Sequence, residues 1–396
     1  MNSFLKNKAS VLPYGFVFAV FLFFNTIFNG STRTNNLLHL AILFIIFRLF
    51  ADKALVQRII TDKTLVRGLL CAGAFMLYFT ATNLWPNDNG HLASTFNHSL
   101  YLLFYITMTA LVLSSGARQQ VMALIVAGFT LVVSYLLISN FHVILNRGPV
   151  TVANPTAQNV IDLAGLASIG LILAITLFLE TRNKLILPCM AILVFFILLT
   201  QSRGPVLALA ISWLLCKGFP RLTRKNISIA LIIVIISAVF IETTELGALL
   251  RLRVEDAYTQ SFLRFSIWRH TAELISQHWL LGNGFDYELA FINYSGEHIS
   301  TTHSLYFGTL LKGGVIGGIL LLILLGYILR TAFKYHNQRV DCGAVLVVFS
   351  IVFYLTEGMF VIGNPAPEWY LFWFPIGYAL SQSLATLKGG AKITGD

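Results

Sequence analysis

Residues 185–219 read LILPCMAILVFFILLTQSRGPVLALAISWLLCKGF. Two apolar runs, 185–201 and 204–219, meet at the polar hexapeptide Thr200-Gln201-Ser202-Arg203-Gly204-Pro205. Both runs are continuously apolar, whereas the strands of a membrane barrel are shorter and alternate in polarity, so the stretch reads as a helical hairpin dipping through a membrane. Arg203 sits at its tip. A guanidinium near membrane depth faces a cavity or an anion far more often than lipid, which favours a functional over a structural reading. Gly204 and Pro205 are expected to break the helix and release backbone N–H groups toward an anion.

The rest of the chain repeats the pattern. Of 396 residues, 57% are hydrophobic and only 11% charged, which excludes a soluble protein. Apolar runs fall near 11–29, 36–51, 65–83, 97–114, 119–138, 157–179, 185–201, 204–219, 226–242, 304–329, 340–361 and 367–386. At about 20 residues per span, twelve spans leave no room for a large soluble domain. The expected fold is all-α, a polytopic integral membrane protein with about twelve transmembrane helices and a helical periplasmic loop. Its units are spans one to nine (1–242), the loop (243–303), and spans ten to twelve with a tail (304–396). The first run follows Lys6 and Lys8 and lacks an Ala-x-Ala cleavage pattern, so it reads as a retained span. Cys71, Cys189, Cys216 and Cys342 stand singly, without metal or disulfide spacing.

With the N-terminus inside, 19 of the 27 Lys and Arg fall on the cytoplasmic side, as the positive-inside rule requires. The other eight are Arg33, Arg147, Arg203, Arg251, Arg253, Arg264, Arg269 and Lys312, outside or near outer span ends. Seven of these are arginine, while the inner set mixes Lys and Arg. Orientation alone does not demand that choice. A planar, permanently charged fork grips phosphate bidentately, so the bias points to an anionic ligand outside; snorkelling or pairing with loop acids is the competing account of any single arginine. The formal charge of +10 carries no implication of nucleic-acid binding.

The long connection 243–303 is where function is expected. It holds helical-looking stretches at Glu245–Tyr258 and Phe262–His278, then Gly282-Asn283-Gly284. Arg264 and Trp268, at i and i+4, share a helix face; Arg269 points elsewhere, and His270 and His278 read as solvated. His303, in Thr302-His303-Ser304 before the tenth span, is the best candidate base, because a histidine beside arginines stays neutral and able to accept a proton. Its alternative is a satisfied polar residue beside a Thr302 or Ser304 helix cap. Asp286-Tyr287-Glu288 and Glu255-Asp256 have weak metal spacing and read more simply as solvated acids. Walker, GxGxxG and serine-hydrolase patterns are missing, which argues against a nucleotide-driven pump.

Four pieces carry a family resemblance: Arg147 with Asn154-Pro155; Thr200-Gln201-Ser202-Arg203-Gly204; Arg264 to Trp268 with Gly282-Asn283-Gly284-Phe285; and Thr302-His303 with Gly313-Gly314. In that order, over roughly residues 145–320, the chain resembles the O-antigen ligase and polymerase superfamily of bacterial envelope glycan enzymes, with the ligase branch nearest. Where that family often has His-Asn and a Glu before the glycine pair, this chain has Ser304 and Lys312.

The resemblance implies a glycosyltransferase of the bacterial inner membrane that moves O-antigen from undecaprenyl diphosphate to a sugar of the lipid A core at the periplasmic face. It implies Arg203 and Arg264 on the departing diphosphate and His303 as base, with Arg147, Trp268 and Arg269 as further diphosphate or sugar contacts. Neither a metal nor a cofactor is expected. A polysaccharide polymerase and a protein O-oligosaccharyltransferase share the donor; a secondary transporter is the alternative from another class.

Overall fold

The computed structural model describes residues 13–28, 31–85, 91–146, 148, 150, 159–217, 243, 262–292, 296, 298–336, 342–358 and 360–390. Within these residues the chain is helical apart from turns and one two-stranded antiparallel ribbon, β1 (Phe291–Ile292) with β2 (His298–Ile299), in which Phe291 faces Ile299. The helices are α1 (Pro13–Ile27), α2 (Thr32–Ala51), α3 (Lys53–Thr61), α4 (Lys63–Ala81), α5 (Leu92–Leu113), α6 (Arg118–Ser139), α7 (Phe141–Leu145), α8 (Val160–Thr181), α9 (Ile186–Leu199) and α10 (Arg203–Lys217). They continue with α11 (262–277), α12 (Leu305–Lys334), α13 (Gly343–Thr356), a π-helix at Trp369–Trp373, and α14 (Phe374–Gly390). Every expected apolar run coincides with a helix except 226–242, which lies outside the described residues, as do Glu245–Tyr258, Glu255-Asp256 and Arg147.

Six of the described helices are long and apolar enough to cross a membrane. A 22-residue helix such as α8 is about 33 Å long, enough for a hydrocarbon core of about 30 Å. Large apolar side chains stay on the outside, among them Phe50 at 86% and Ile138 at 87% exposure, as lipid-facing surfaces require. Polar side chains start several helices. Ser31, Asp52, Asp62 and Asn159 accept the first free backbone N–H groups of α2, α3, α4 and α8.

The core centres on the C-terminal segment. Trp369, Tyr370, Trp373 and Tyr378 are buried there, Trp369 against Phe21 and Tyr105, Tyr370 against Phe129, Trp373 against Phe75 and Tyr378 against Phe374. Three of the polar ends meet carbonyls: Tyr370 Oη donates to Leu22 O, Trp369 Nε1 to Gly363 O (3.2 Å) and Trp373 Nε1 to Val361 O (2.6 Å), while Tyr378 Oη accepts from Arg118 Nη2 (2.6 Å). An indole or phenol buried this way keeps its apolar area without stranding a donor.

Helix α12 is broken. Gly314 has φ 58° and ψ −161°, a backbone region essentially restricted to glycine. Into this break docks the segment 279–284: Asn283 N donates to Leu311 O (2.9 Å), Gly284 N to Lys312 O (2.9 Å) and Val315 N to Trp279 O (2.8 Å). The approach is backbone against backbone. A methyl at Gly282, itself at φ 74°, would stand 2.4 Å from Lys312 O, and one at Gly314 would stand 2.4 Å from Leu280 O. The two glycine motifs, Gly282-Asn283-Gly284 and Gly313-Gly314, are thus halves of one joint. Tyr78 Oη of α4 closes it from a third side, donating to Gly313 O (2.7 Å) and Leu281 O (3.3 Å).

Candidate active site

Three polar corners meet at the end of the bundle that carries this joint. The first is Thr200–Ser202, between α9 and α10. Gln201 takes a left-handed φ of 50°, and its Nε2 donates to Leu145 O at 3.0 Å, tying the corner to the end of α7. The break expected at Gly204-Pro205 falls instead at Thr200–Ser202: Gly204 and Pro205 lie in the first turn of α10, where proline's missing N–H has no partner to lose. Arg203 opens α10 and is exposed. Both flanking helices are short: α9, with 14 residues, spans about 21 Å against a hydrocarbon core of about 30 Å, so one crossing can keep the corner below the membrane surface.

The second corner follows α13. The apolar run expected to continue to 361 ends as helix at Thr356, where Glu357 is extended at φ −137°, ψ 168°. Its side chain is only 4% exposed, and Arg264 Nη2 lies 2.5 Å from Glu357 Oε1. A methyl at Gly204 would stand 3.9 Å from that same oxygen. The start of α10 and the face of α11 that carries Arg264 therefore converge on one buried carboxylate. Glu357 is the residue that sequence reasoning missed. The available signal was an acid deep inside an otherwise apolar run, which is expensive unless paired.

The third corner is Thr302–Ser304. Trp268, one turn along α11 from Arg264, donates from Nε1 to Thr302 O at 3.0 Å and stacks on Phe307 with ring centroids 5.4 Å apart. Thr302 Oγ1 donates to Ser304 O (2.7 Å), and Ser304 precedes α12 without a side-chain cap, so neither residue caps the helix through its side chain. Between them His303 is forced to φ 49°. Left-handed backbone at a non-glycine costs on the order of 1–3 kcal/mol and persists where the surroundings over-determine it. His303 is partly buried, and both burial and, to a lesser extent, the nearby Arg264 charge hold its imidazole below the usual histidine pKa.

Arg203, Arg264, His303 and Trp268 are thus placed around one region, with Arg264 and Trp268 on one face of α11 as the i, i+4 spacing anticipated. Arg269 is not part of it. It lies about 100° further round the helix, 86% exposed, and pairs with Glu273 at 3.5 Å. Asp286 faces His91, with Oδ1 3.0 Å from Nδ1. Among the described residues no three His, Cys, Asp or Glu side chains group as metal ligands. Lys312 is a strut: its ammonium donates to Phe285 O (2.5 Å) and Tyr287 O (2.8 Å), holding the loop after the glycine joint. Behind the His303 corner is a cavity of about 190 Å³, lined in part by Glu288, Ser300, Thr301, Thr302, Ser304 and Gly358.

At this end of the bundle the Arg264 guanidinium is near the His303 imidazole, and the start of α10, which Arg203 opens, approaches the carboxylate that Arg264 pairs with. Residues 188–322, which include Arg203, Arg264, His303 and both glycine motifs, match the family model described as O-Antigen ligase. The chain is also 32% identical over 213 residues to an O-antigen ligase of Pseudomonas aeruginosa, an alignment covering 52% of this chain and 50% of that protein. The chain thus spans about half the length of the curated relative it matches. The resemblance carried by the sequence motifs therefore holds, and residues 188–322 form the stretch of this chain that matches the O-antigen ligase family.

Proposed function

We propose that this chain is an O-antigen ligase: a twelve-span protein of the bacterial inner membrane, with both termini cytoplasmic and its site facing the periplasm. It transfers glycan from undecaprenyl diphosphate to a sugar hydroxyl of the lipid A core. The observation that carries the reading is the convergence of α10, α11 and the His303 corner on Glu357.

A lipid-linked sugar diphosphate is already activated, so the site has to stabilise charge on the leaving diphosphate as the anomeric bond breaks. Arg203 and Arg264 supply that charge from fixed positions. One oxygen of Glu357 occupies one of Arg264's five N–H donors, which orients the fork and leaves the others for phosphate. His303 Nδ1 or Nε2 takes the acceptor hydroxyl proton as the oxygen attacks. Trp268 positions His303 through Thr302, and Arg147 adds a further anion contact. Arg269, exposed and paired with Glu273, is left with a peripheral sugar contact at most.

Purified protein given lipid A core and lipid-linked glycan is expected to make lipopolysaccharide, and to do so in excess chelator because arginine supplies the cationic charge. Elongation of the lipid-linked chain would make it a polymerase, transfer to protein a protein glycosyltransferase, and solute uptake without transfer a carrier. Loss of transfer in chelator with recovery on adding a divalent ion would overturn the arginine-only chemistry.

The imidazole sets the pH response. Because its folded pKa is depressed, His303 stays neutral and basic through neutral pH, so transfer should hold down to pH 6.5 and fall only below it, as protonation removes the base. His303→Ala should lower turnover by about a hundred- to ten-thousand-fold and abolish that acid limb. An unchanged pH–rate profile in His303→Ala would remove the residue from the proton transfer.

A further inference from the structure

At the opposite end of the bundle, α3 is too short to cross a membrane and lies between α2 and α4, started by Asp52 and stopped at Asp62. Beside it is a groove of about 540 Å³ walled by α2, α3, α4 and α5, whose lining is apolar except for Thr107. Val56, Ile59 and Ile60 come from α3, Val66 and Leu70 from α4, and Leu103 from α5. The groove opens to the outside of the molecule: Ile60 and Leu70 are each 66% exposed.

The helices that wall it also carry cations. Residues 48–67 contain Arg48, Lys53, Arg58, Lys63 and Arg67 against only Asp52 and Asp62. Arg48 is taken up by Asp52 at 2.8 Å, and Arg58 by Ser114 Oγ (3.1 Å) and Leu384 O (3.4 Å). Both acids are also used as helix caps. Lys53, Lys63 and Arg67 are exposed. Each stands three residues before a groove residue, Val56, Val66 and Leu70 respectively, so each shares a helix face with the apolar wall. Apolar walls and exposed cations on the same helices match the two ends of one molecule: an acyl chain and an anionic headgroup.

We propose that this groove is a binding site for an anionic glycerophospholipid, with an acyl chain against Ile60, Leu70 and Leu103 and the phosphate on Lys53, Lys63 and Arg67. The site is independent of the transfer chemistry, since none of these residues is in the Arg203–His303 region. General attraction of the cytoplasmic face for anionic lipid does not need the groove; this proposal does.

The test is native mass spectrometry of the full-length purified protein titrated with phosphatidylglycerol or phosphatidylethanolamine of matched chains, together with the shift in melting temperature each lipid gives. Phosphatidylglycerol should bind at least about fivefold more tightly as a first equivalent and raise the melting temperature. The Lys53→Gln/Lys63→Gln/Arg67→Gln variant should lose that preference while still binding a lipid. Leu70→Ala/Leu103→Ala should weaken both lipids while leaving the headgroup preference intact. Equal binding of the two lipids by the unaltered protein would overturn the proposal. So would an undiminished preference in the triple variant, or groove variants that bind both lipids as the unaltered protein does. Lipopolysaccharide transfer measured in the triple variant should be unchanged, which separates failure here from failure of the ligase reading.

Discussion

Arg264→Ala should abolish glycan transfer, lowering turnover by about a hundred- to a thousand-fold, the range seen when one pre-placed donor is removed from a developing anion. It should also destabilise the protein, because the Glu357 carboxylate, only 4% exposed, would lose the guanidinium that stands 2.5 Å from it. Removing one partner of a buried pair costs roughly 3–5 kcal/mol; with Arg264 32% exposed, about 2–3 kcal/mol is the expected loss. Two effects in one variant would be ambiguous, and the pairing geometry separates them. Arg264→Ala/Glu357→Gln also removes the carboxylate charge that Arg264 offsets, so it should regain part of the melting temperature while remaining inactive. Arg264→Lys keeps the charge but not the fork, and should fold while losing much of the activity. Recovery of transfer in the double variant would assign Arg264 a purely structural role.

The second large effect is on folding. Gly314→Ala puts a methyl 2.4 Å from Leu280 O and 2.6 Å from Gly282 N, both backbone atoms with no freedom to yield, at a φ, ψ pair that only glycine adopts readily. The joint between 279–284 and α12 should open, at a cost above about 4 kcal/mol, and little monodisperse protein should be recovered in detergent. Gly326→Ala in the same helix meets nothing within 4 Å and should fold as well as the parent. Equal yields and melting temperatures for the two variants would mean that the docked joint is not needed for the fold. Because the joint grips α12 at Leu311–Val315, and α12 begins two residues after His303, loss of the joint should cost transfer even where some protein survives.

Much of this was readable from residues in order along the chain. Hydropathy marked the helices because a lipid-facing helix must be apolar along its own length, a local requirement. The outer arginine bias included Arg203 and Arg264 among seven, and the polar corner at 200–205 drew attention to Arg203. The i, i+4 spacing put Trp268 beside Arg264, which α11 bears out. Other features were not readable. Gly204-Pro205 looked like a helix break but starts one, since the same residues suit a first turn. Glu357 gave no sign in the sequence of which cation it meets, because its partner lies on a different helix.

By itself, then, the sequence determined an all-α membrane class and the positions of the apolar helices, and it supplied the arginine and histidine candidates for the proposed chemistry. Only the tertiary structure decided which carboxylate meets Arg264, 93 residues away at Glu357, and that Gly282 and Gly314 are two sides of one contact. The physical reason is range. Partition into lipid is settled segment by segment, whereas an ion pair or a backbone joint exists only once separate helices have packed and brought distant atoms within a few ångströms.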